Sequence, residues 1–404
     1  MHLDLPPPTI VENRRGMDRL MNDLERQREI AVDTEADSFF SYREKVCLIQ
    51  ITVDDRDYLV DPLSDIDLEP VGRMLADPRK EKVFHDGEYD ILIMKRRYRF
   101  AFQNLFDTRV AAATLGSKNP GLASVLREHF QIELDKSMQR SNWGDRPLSE
   151  KQIRYARLDT HFLVPLMRRQ KVELERRSRA MIVDGECRRL ERIEPPDAEF
   201  DADEWVKVKG ARMLGPLERQ VFSELFILRE KLASESDQPP FRIMNNEVLL
   251  ALARARPRHV GDLSRVVGFS WKQARKMGDD VINSIARGVE LGPLRSFPVL
   301  PSKDGTGDFN DEEIELYERM KECRKKLAER EDMESAYLLN RHLLLRLTRE
   351  QPRDLAALER TEGMHAWQIE MFGRAILDVI AKFRAEIASG AVKLKKRRAP
   401  WRGG

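Results

Sequence analysis

The second half of the chain is written twice. Pro257-Arg258, followed by Leu263, Arg265 and Gly268, recurs as Pro352-Arg353, followed by Leu358, Arg360 and Gly363, a displacement of 95 residues (352 − 257). The same displacement, without a gap, carries Arg229 onto Arg324, Lys231-Leu232-Ala233 onto Lys326-Leu327-Ala328, Asn245 onto Asn340, Leu249-Leu250 onto Leu344-Leu345 and Gly278 onto Gly373. Matches held in register over such a length mean two copies of one structural unit. Each copy is helical by pattern and keeps its prolines at the joints, so each reads as a small all-α bundle. The copies span 206–290 and 311–390. A linker at 195–205 precedes the first, a Pro/Gly-rich linker at 291–310 separates them, and a basic tail, 391–404, follows.

Residues 1–194 have a different grammar. After a short helix carrying Met17, Leu20, Met21 and Leu24, the apolar run Ile30-Ala31-Val32 ends in Asp33-Thr34-Glu35. On a strand, Asp33 and Glu35 share one face. Two carboxylates beside a buried strand repel each other and resist desolvation, which a divalent cation would offset. A solvated strand end is the alternative for such a pair taken alone. Val46–Val53 and Tyr58-Leu59-Val60 flank the polar Asp54–Asp57 and read as a hairpin. A helix over Leu68–Leu75 and a strand at Lys82–His85 follow. Gly87 marks a turn, and Asp90 falls in the first turn of the next helix, where the macrodipole favours an anion. Asp107 reads as an N-cap. Ser149 and Gln152 stand at capping-box spacing, and in the helix they open, Tyr155 and Asp159 share a face at i and i+4. Strands first, then helices with a further strand between them, predict a mixed α/β layer domain.

Composition excludes several classes. The chain has 404 residues and a net charge of only +2, so nucleic-acid binding must come from local patches. Cys47, Cys187 and Cys323 are far apart and odd in number, which excludes a disulfide framework and a C-x-x-C zinc site. No apolar run approaches a membrane span and the N-terminus has no secretory pattern, so a cytoplasmic protein without membrane association is expected.

Taken together, Val32-Asp33-Thr34-Glu35, Phe84-His85 through Asp90, Phe106-Asp107-Thr108, Ser141-Asn142-Trp143 with Arg146-Pro147-Leu148, and Tyr155-Ala156-Arg157-Leu158-Asp159 resemble ribonuclease D, among the exonucleases with four acidic ligands and a tyrosine. The resemblance covers about residues 8–190. It implies a ribonuclease H-like fold with a mixed sheet, two divalent metal ions (Mg²⁺ or Mn²⁺) held by Asp33, Glu35, Asp90 and Asp159, and Tyr155 orienting the attacking water. Orientation suits a tyrosine better than deep general-base catalysis, since its hydroxyl ordinarily titrates near ~10. The repeated bundles resemble the helicase-and-ribonuclease-D C-terminal domain, which implies nucleic-acid binding.

The implied activity is 3′-to-5′ exoribonuclease action on RNA 3′ ends, tRNA precursors above all, releasing nucleoside 5′-monophosphates. A DNA exonuclease with the same site and a non-catalytic RNA-binding scaffold are the alternatives. No obligate protein partner is expected. Phe39, Phe40 and Tyr42, just past the acidic strand, are candidates for stacking on a terminal base, in competition with core packing. Trp143 and Arg146 are further candidate RNA contacts, whereas His85 and His161 are expected to be structural. The first helical copy carries 15 Lys+Arg against 10 Asp+Glu and the second 14 against 17, that is +5 and −3. Arg254, Arg256, Arg258, Lys272, Arg275 and Lys276 of the first copy are therefore expected to supply most helical-domain phosphate contacts.

Overall fold

The computed structural model describes residues 5–196, 200–298 and 305–391. The basic tail read from Lys393 to Arg398, with Trp401, lies outside the described residues. Contacts divide the chain into two compact units. One takes in 5–36, 46–195 and 305–391; the other takes in 37–45 and the described part of 196–298.

The first unit is built on strands β1 (Thr9–Val11), β2 (Glu29–Ala36), β3 (Val46–Val53), β4 (Arg56–Val60), β5 (Glu81–Phe84) and β6 (Leu105–Asp107). The helices of this sheet domain are α1 (Arg14–Glu25), α2 (Glu69–Ala76), α3 (Glu88–Tyr98), α4 (Thr108–Thr114), α5 (Leu122–Phe130), α6 (Glu150–His161), α7 (Leu163–Arg176) and α8 (Ala180–Arg192). The strands form one sheet in the order β1-β4-β3-β2-β5-β6. β2/β3 and β3/β4 are antiparallel, whereas β1/β4, β2/β5 and β5/β6 are parallel, giving the expected mixed sheet. β3 is buried along its whole length, as a continuous apolar run covered on both faces should be. Val53 pairs with Arg56 across Asp54 and Asp55, whose φ of 49° and 56° are the two left-handed positions of a primed hairpin turn, tolerated by aspartate. β1 and β6, three residues each, were not expected, because so short a run carries no periodicity.

Helix α6 lies against β2, β3 and β4 and starts at the capping box of Ser149 and Gln152. Its inner face is held by a buried polar network around Asp57. Arg157 donates to Asp57 from Nε at 2.9 Å and Nη2 at 2.6 Å, and Asp57 also meets His161 Nδ1 at 2.8 Å and the Thr52 hydroxyl at 2.8 Å. Thr52 and Thr160 share a 2.7 Å hydroxyl contact. Five side chains from one helix and two strands thus meet in a paired cluster, which sets how α6 lies on the sheet.

Both helical copies have five helices: α9 (Pro216–Glu235), α10 (Pro240–Ile243), α11 (Asn246–Ala255), α12 (Val260–Leu263) and α13 (Trp271–Glu290), then α14 (Asp311–Glu331), α15 (Ser335–Leu338), α16 (Arg341–Glu350), α17 (Leu355–Arg360) and α18 (Ala366–Ala388). Every helix start is displaced by the 95 residues read from the sequence, as 216 becomes 311 and 271 becomes 366. Internal bonds repeat too. Arg229 donates to the Met244 carbonyl at 3.2 Å and Arg324 to that of Leu339 at 3.0 Å, while Gln273 and Gln368 donate to Ile243 and Leu338 at 2.9 and 2.7 Å. The cores reach beyond the boundaries read from sequence, since Trp205 is buried in the first and Phe309 in the second.

The second copy packs on the sheet domain within the first unit. Arg109 donates to the Tyr337 hydroxyl at 2.9 Å, Arg179 donates to the Glu331 carbonyl at 2.6 Å, and the His365 ring closes on Gly185 of α8. The first copy packs with residues 37–45: Tyr42 donates to Glu230 at 2.5 Å, Lys45 pairs with Asp237 at 2.9 Å, and Arg242 stacks 4.3 Å over Phe40. Among the described residues no helix is long and apolar enough to cross a membrane.

Candidate active site

Strand β2 carries Asp33 and Glu35 on the sheet face that α6 covers, and α6 brings Asp159 down to them. Carboxylate oxygens of Asp33, Glu35 and Asp159 all lie within 4.8 Å of one another. A β-bulge follows Glu35, breaking the β2/β3 register at the point where the acids must turn into the cleft. Thr34, between the two acids, points to the opposite face, where its hydroxyl donates to Asp90 of α3. Asp90 is itself 6% exposed and near enough for its charge to act on the other three acids, although its oxygens are not part of the close trio.

The start of α3 is fixed by Asp107. Its carboxylate accepts from the backbone N–H groups of Asp86 and Gly87, at 3.1 and 2.8 Å, and from those of Arg109 and Val110, so the residue expected as one N-cap ties two helix starts together. Gly87 admits no side chain, because a Cβ would stand 2.6 Å from that of Phe84.

Electrostatically the site is overloaded with negative charge. Burial, then the charges of Asp90, Asp159 and Glu35, holds the Asp33 carboxyl well above the usual carboxylate range. Burial with Asp159 and Asp90 pushes Glu35 up to about 9. Asp159 rises to about 8 through burial and the Asp90 charge, against the opposing hydrogen bond from the Tyr155 hydroxyl, and burial lifts Asp90 to about 6. Tyr155 is raised as well, by burial and by Asp159, Glu35 and Asp33, so its hydroxyl stays protonated and acts as a donor. An all-oxygen set of crowded carboxylates fits hard divalent cations such as Mg²⁺ or Mn²⁺, whose charge would return these groups to their ionised form.

The other residues singled out in the sequence fall into two groups. Trp143 is 1% exposed and its ring centroid lies 5.9 Å from that of Tyr155, so it supports the tyrosine and offers RNA no face. Arg146 grips Asp61 with a fork at 2.6 and 2.7 Å and also donates to the Cys47 and Trp143 carbonyls, which makes it a structural clamp instead of an RNA contact. Phe40 and Tyr42 are engaged with the first helical copy, and Phe39 is half exposed. His85 meets the Thr108 hydroxyl at 2.9 Å and His161 meets Asp57, the structural roles expected for both. Arg254, Arg258, Lys272, Arg275 and Lys276 are exposed and Arg256 partly so; none makes an ion pair among the described residues.

Sequence reading passed over Thr34, Asp57 and Gln50. Gln50 lies directly across from Asp33, is 0% exposed, and neither end of its amide has a partner. A buried amide left unpaired costs about 1–3 kcal/mol, so it stands against stability beside the acidic pair. Its only sequence signal is a polar residue in the middle of the apolar run Val46–Val53.

The family model described as 3′-5′ exonuclease matches residues 8–175, and that of the HRDC domain matches 218–285 and again 313–380. The chain is 32% identical over 290 residues to the ribonuclease D of Desulfotalea psychrophila, covering 69% of this chain and 75% of that one. The catalytic core of RRP6 from Trypanosoma brucei matches with a TM-score of 0.67 at 25% identity, over 72% of this chain and 82% of that one. Escherichia coli RNase D, described as an exoribonuclease involved in structured RNA processing, shares the fold with a TM-score of 0.64 at 23% identity, over 93% of this chain and 99% of that one.

Proposed function

From the premise that the chain belongs to the ribonuclease D family of 3′-5′ exonucleases, we propose that it trims the 3′ ends of structured RNAs, tRNA precursors above all, in the cytoplasm, releasing nucleoside 5′-monophosphates. The observation that carries the chemistry is the meeting of the Asp33, Glu35 and Asp159 carboxylates within 4.8 Å, with Tyr155 hydrogen-bonded to Asp159. These three acids, with Asp90 beside them, would hold two divalent cations. Bound there, the cations supply positive charge against the charge that builds at phosphorus and on the leaving 3′ oxygen, and lower the pKa of water.

The chain's own groups do the rest. Tyr155 keeps its proton and directs the attacking water without adding negative charge, while Trp143 fixes the ring from behind. Thr34 holds Asp90, and the Asp57 cluster holds the helix that carries both Tyr155 and Asp159. The cations of the first helical copy, Arg254, Arg256, Arg258, Lys272, Arg275 and Lys276, supply phosphate neutralisation along the RNA.

The test is incubation of the purified chain with a 3′-extended tRNA precursor and a matched DNA, with Mg²⁺, Mn²⁺ or EDTA. Stepwise loss of 3′ nucleotides from RNA, dependent on metal, is expected. Preference for DNA would reassign the substrate, cleavage in EDTA would overturn the metal mechanism, and inertness with either metal would favour a binding scaffold.

A further inference from the structure

The two helical copies keep the same internal bonds and differ in what they do with one surface turn. In the second copy Glu362 and Ala366, before and at the start of α18, meet solvent with a charge and a methyl group, while Trp367, one position on, is 7% exposed and the His365 ring lies against Gly185 of the sheet domain. In the first copy the matching exposed positions carry large apolar side chains. Val267 is 85% exposed and Trp271 is 70% exposed, whereas Trp143, Trp205 and Trp367 are all buried.

Position by position, at the 95-residue displacement, Val267 stands where the second copy has Glu362, Trp271 where it has Ala366, Arg275 where it has Glu370 and Lys276 where it has Met371. Trp271 and Arg275 are one helical turn apart and share a face, and Lys272 and Lys276 form the adjoining stripe. None of the three cations has an ion pair among the described residues, and the face turns acidic only at Asp279 and Asp280.

The turn that displays Trp271 is firmly built. Ser270 accepts from the Gln273 N–H at 3.2 Å, and Gln273 reaches back to the Ile243 carbonyl at 2.9 Å. Phe269 is buried beneath it, and Gly268 turns the chain at φ 83°. Nothing in folding the bundle calls for an indole in water, since the sister copy builds the same helix start with alanine.

On the reading that the chain acts on RNA, we infer that Val267 and Trp271, flanked by Lys272, Arg275 and Lys276, form a stacking platform for single-stranded RNA. The indole takes the face of an unpaired base, Val267 covers its edge, and the cations hold the neighbouring phosphates. Bases inside a duplex have both faces covered already, so the platform selects single-stranded segments.

The experiment titrates the full chain with a single-stranded adenylate oligomer in EDTA, following tryptophan emission. Quenching that saturates with RNA is expected, and Trp271→Ala should abolish most of it and weaken binding by about 5- to 100-fold. Trp271→Phe should restore most of the affinity, which a loss of charge or fold would not allow. Metal-dependent cleavage of a dinucleotide, which carries no strand beyond the scissile bond, should be the same in wild type and Trp271→Ala. Failure of wild type to cleave it would speak against the nuclease reading while leaving the quenching result interpretable. The platform is overturned if Trp271→Ala binds the oligomer as wild type does, if a blunt duplex quenches equally, or if sedimentation without RNA reveals a dimer that Trp271→Ala dissolves, which would give the face to a second copy of the chain.

Discussion

Replacing Glu35 by Gln should make the metal-free protein more stable at alkaline pH and remove the stabilisation that metal confers. Glu35 sits within 4.8 Å of two other carboxylates and is pushed up to about 9 from an ordinary 4.5. A carboxyl raised on folding supports the native state fully below about pH 4.5 and loses that support as pH climbs toward 9. At pH 8 the folded chain keeps a proton that the unfolded chain has released, and 1.36 kcal/mol for each of about 3.5 pH units sets a ceiling of about 5 kcal/mol. The cleft is partly open to water, which reduces this to about 2 to 3 kcal/mol. Glutamine keeps the shape and is neutral in both states, so Glu35→Gln should recover that amount. For a domain of this size, about 2 to 4 °C in Tm per kcal/mol gives a gain of about 5 to 10 °C. Thermal unfolding in EDTA at pH 5 and pH 8, repeated with Mn²⁺, reads the effect. At pH 5 variant and wild type should differ by less than about 1 kcal/mol, and with saturating Mn²⁺ wild type alone should rise. A variant no more stable than wild type at pH 8 in EDTA, or one that gains as much from Mn²⁺, would refute the account of the acids as a crowded cation site.

Tyr155→Phe removes the water-directing hydroxyl and should lower kcat about 10²-fold with RNA affinity unchanged; weaker binding with an intact kcat would contradict that role. Asp57→Ala strands Arg157 and His161 in the interior and should cost about 3 to 5 kcal/mol, seen as a lower urea midpoint; a loss below about 1 kcal/mol would mean the network does not hold α6. Arg146→Ala should destabilise by about 1 to 3 kcal/mol by freeing Asp61 while leaving RNA affinity as it is, and a selective loss of affinity would return Arg146 to the RNA-binding surface.

Sequence alone determined what is local or repeated. Alternation and apolar runs place β2, β3, β4 and β5, capping chemistry opens α6, and a gapless 95-residue displacement foretells two copies of one small helical bundle, whose helices do start in register. The acidic strand was legible for the same reason, since period two puts Asp33 and Glu35 on one face. What tertiary structure decided is which distant groups meet and which side chains are left in water. Asp159 reaches Asp33 only because Asp57 ties down its helix from a strand a hundred residues earlier in the chain, and Thr34 matters only because α3 passes behind β2. Trp143 and Arg146 look like RNA ligands in a list of residues and become a ring support and a clamp once their neighbours enclose them. Conversely Trp271 carries no signal in the sequence and stands out only once the fold leaves it exposed. Periodicity records the face a residue takes on its own element. Burial, pairing and charge crowding depend on what another element brings to that face, and long-range packing alone sets that.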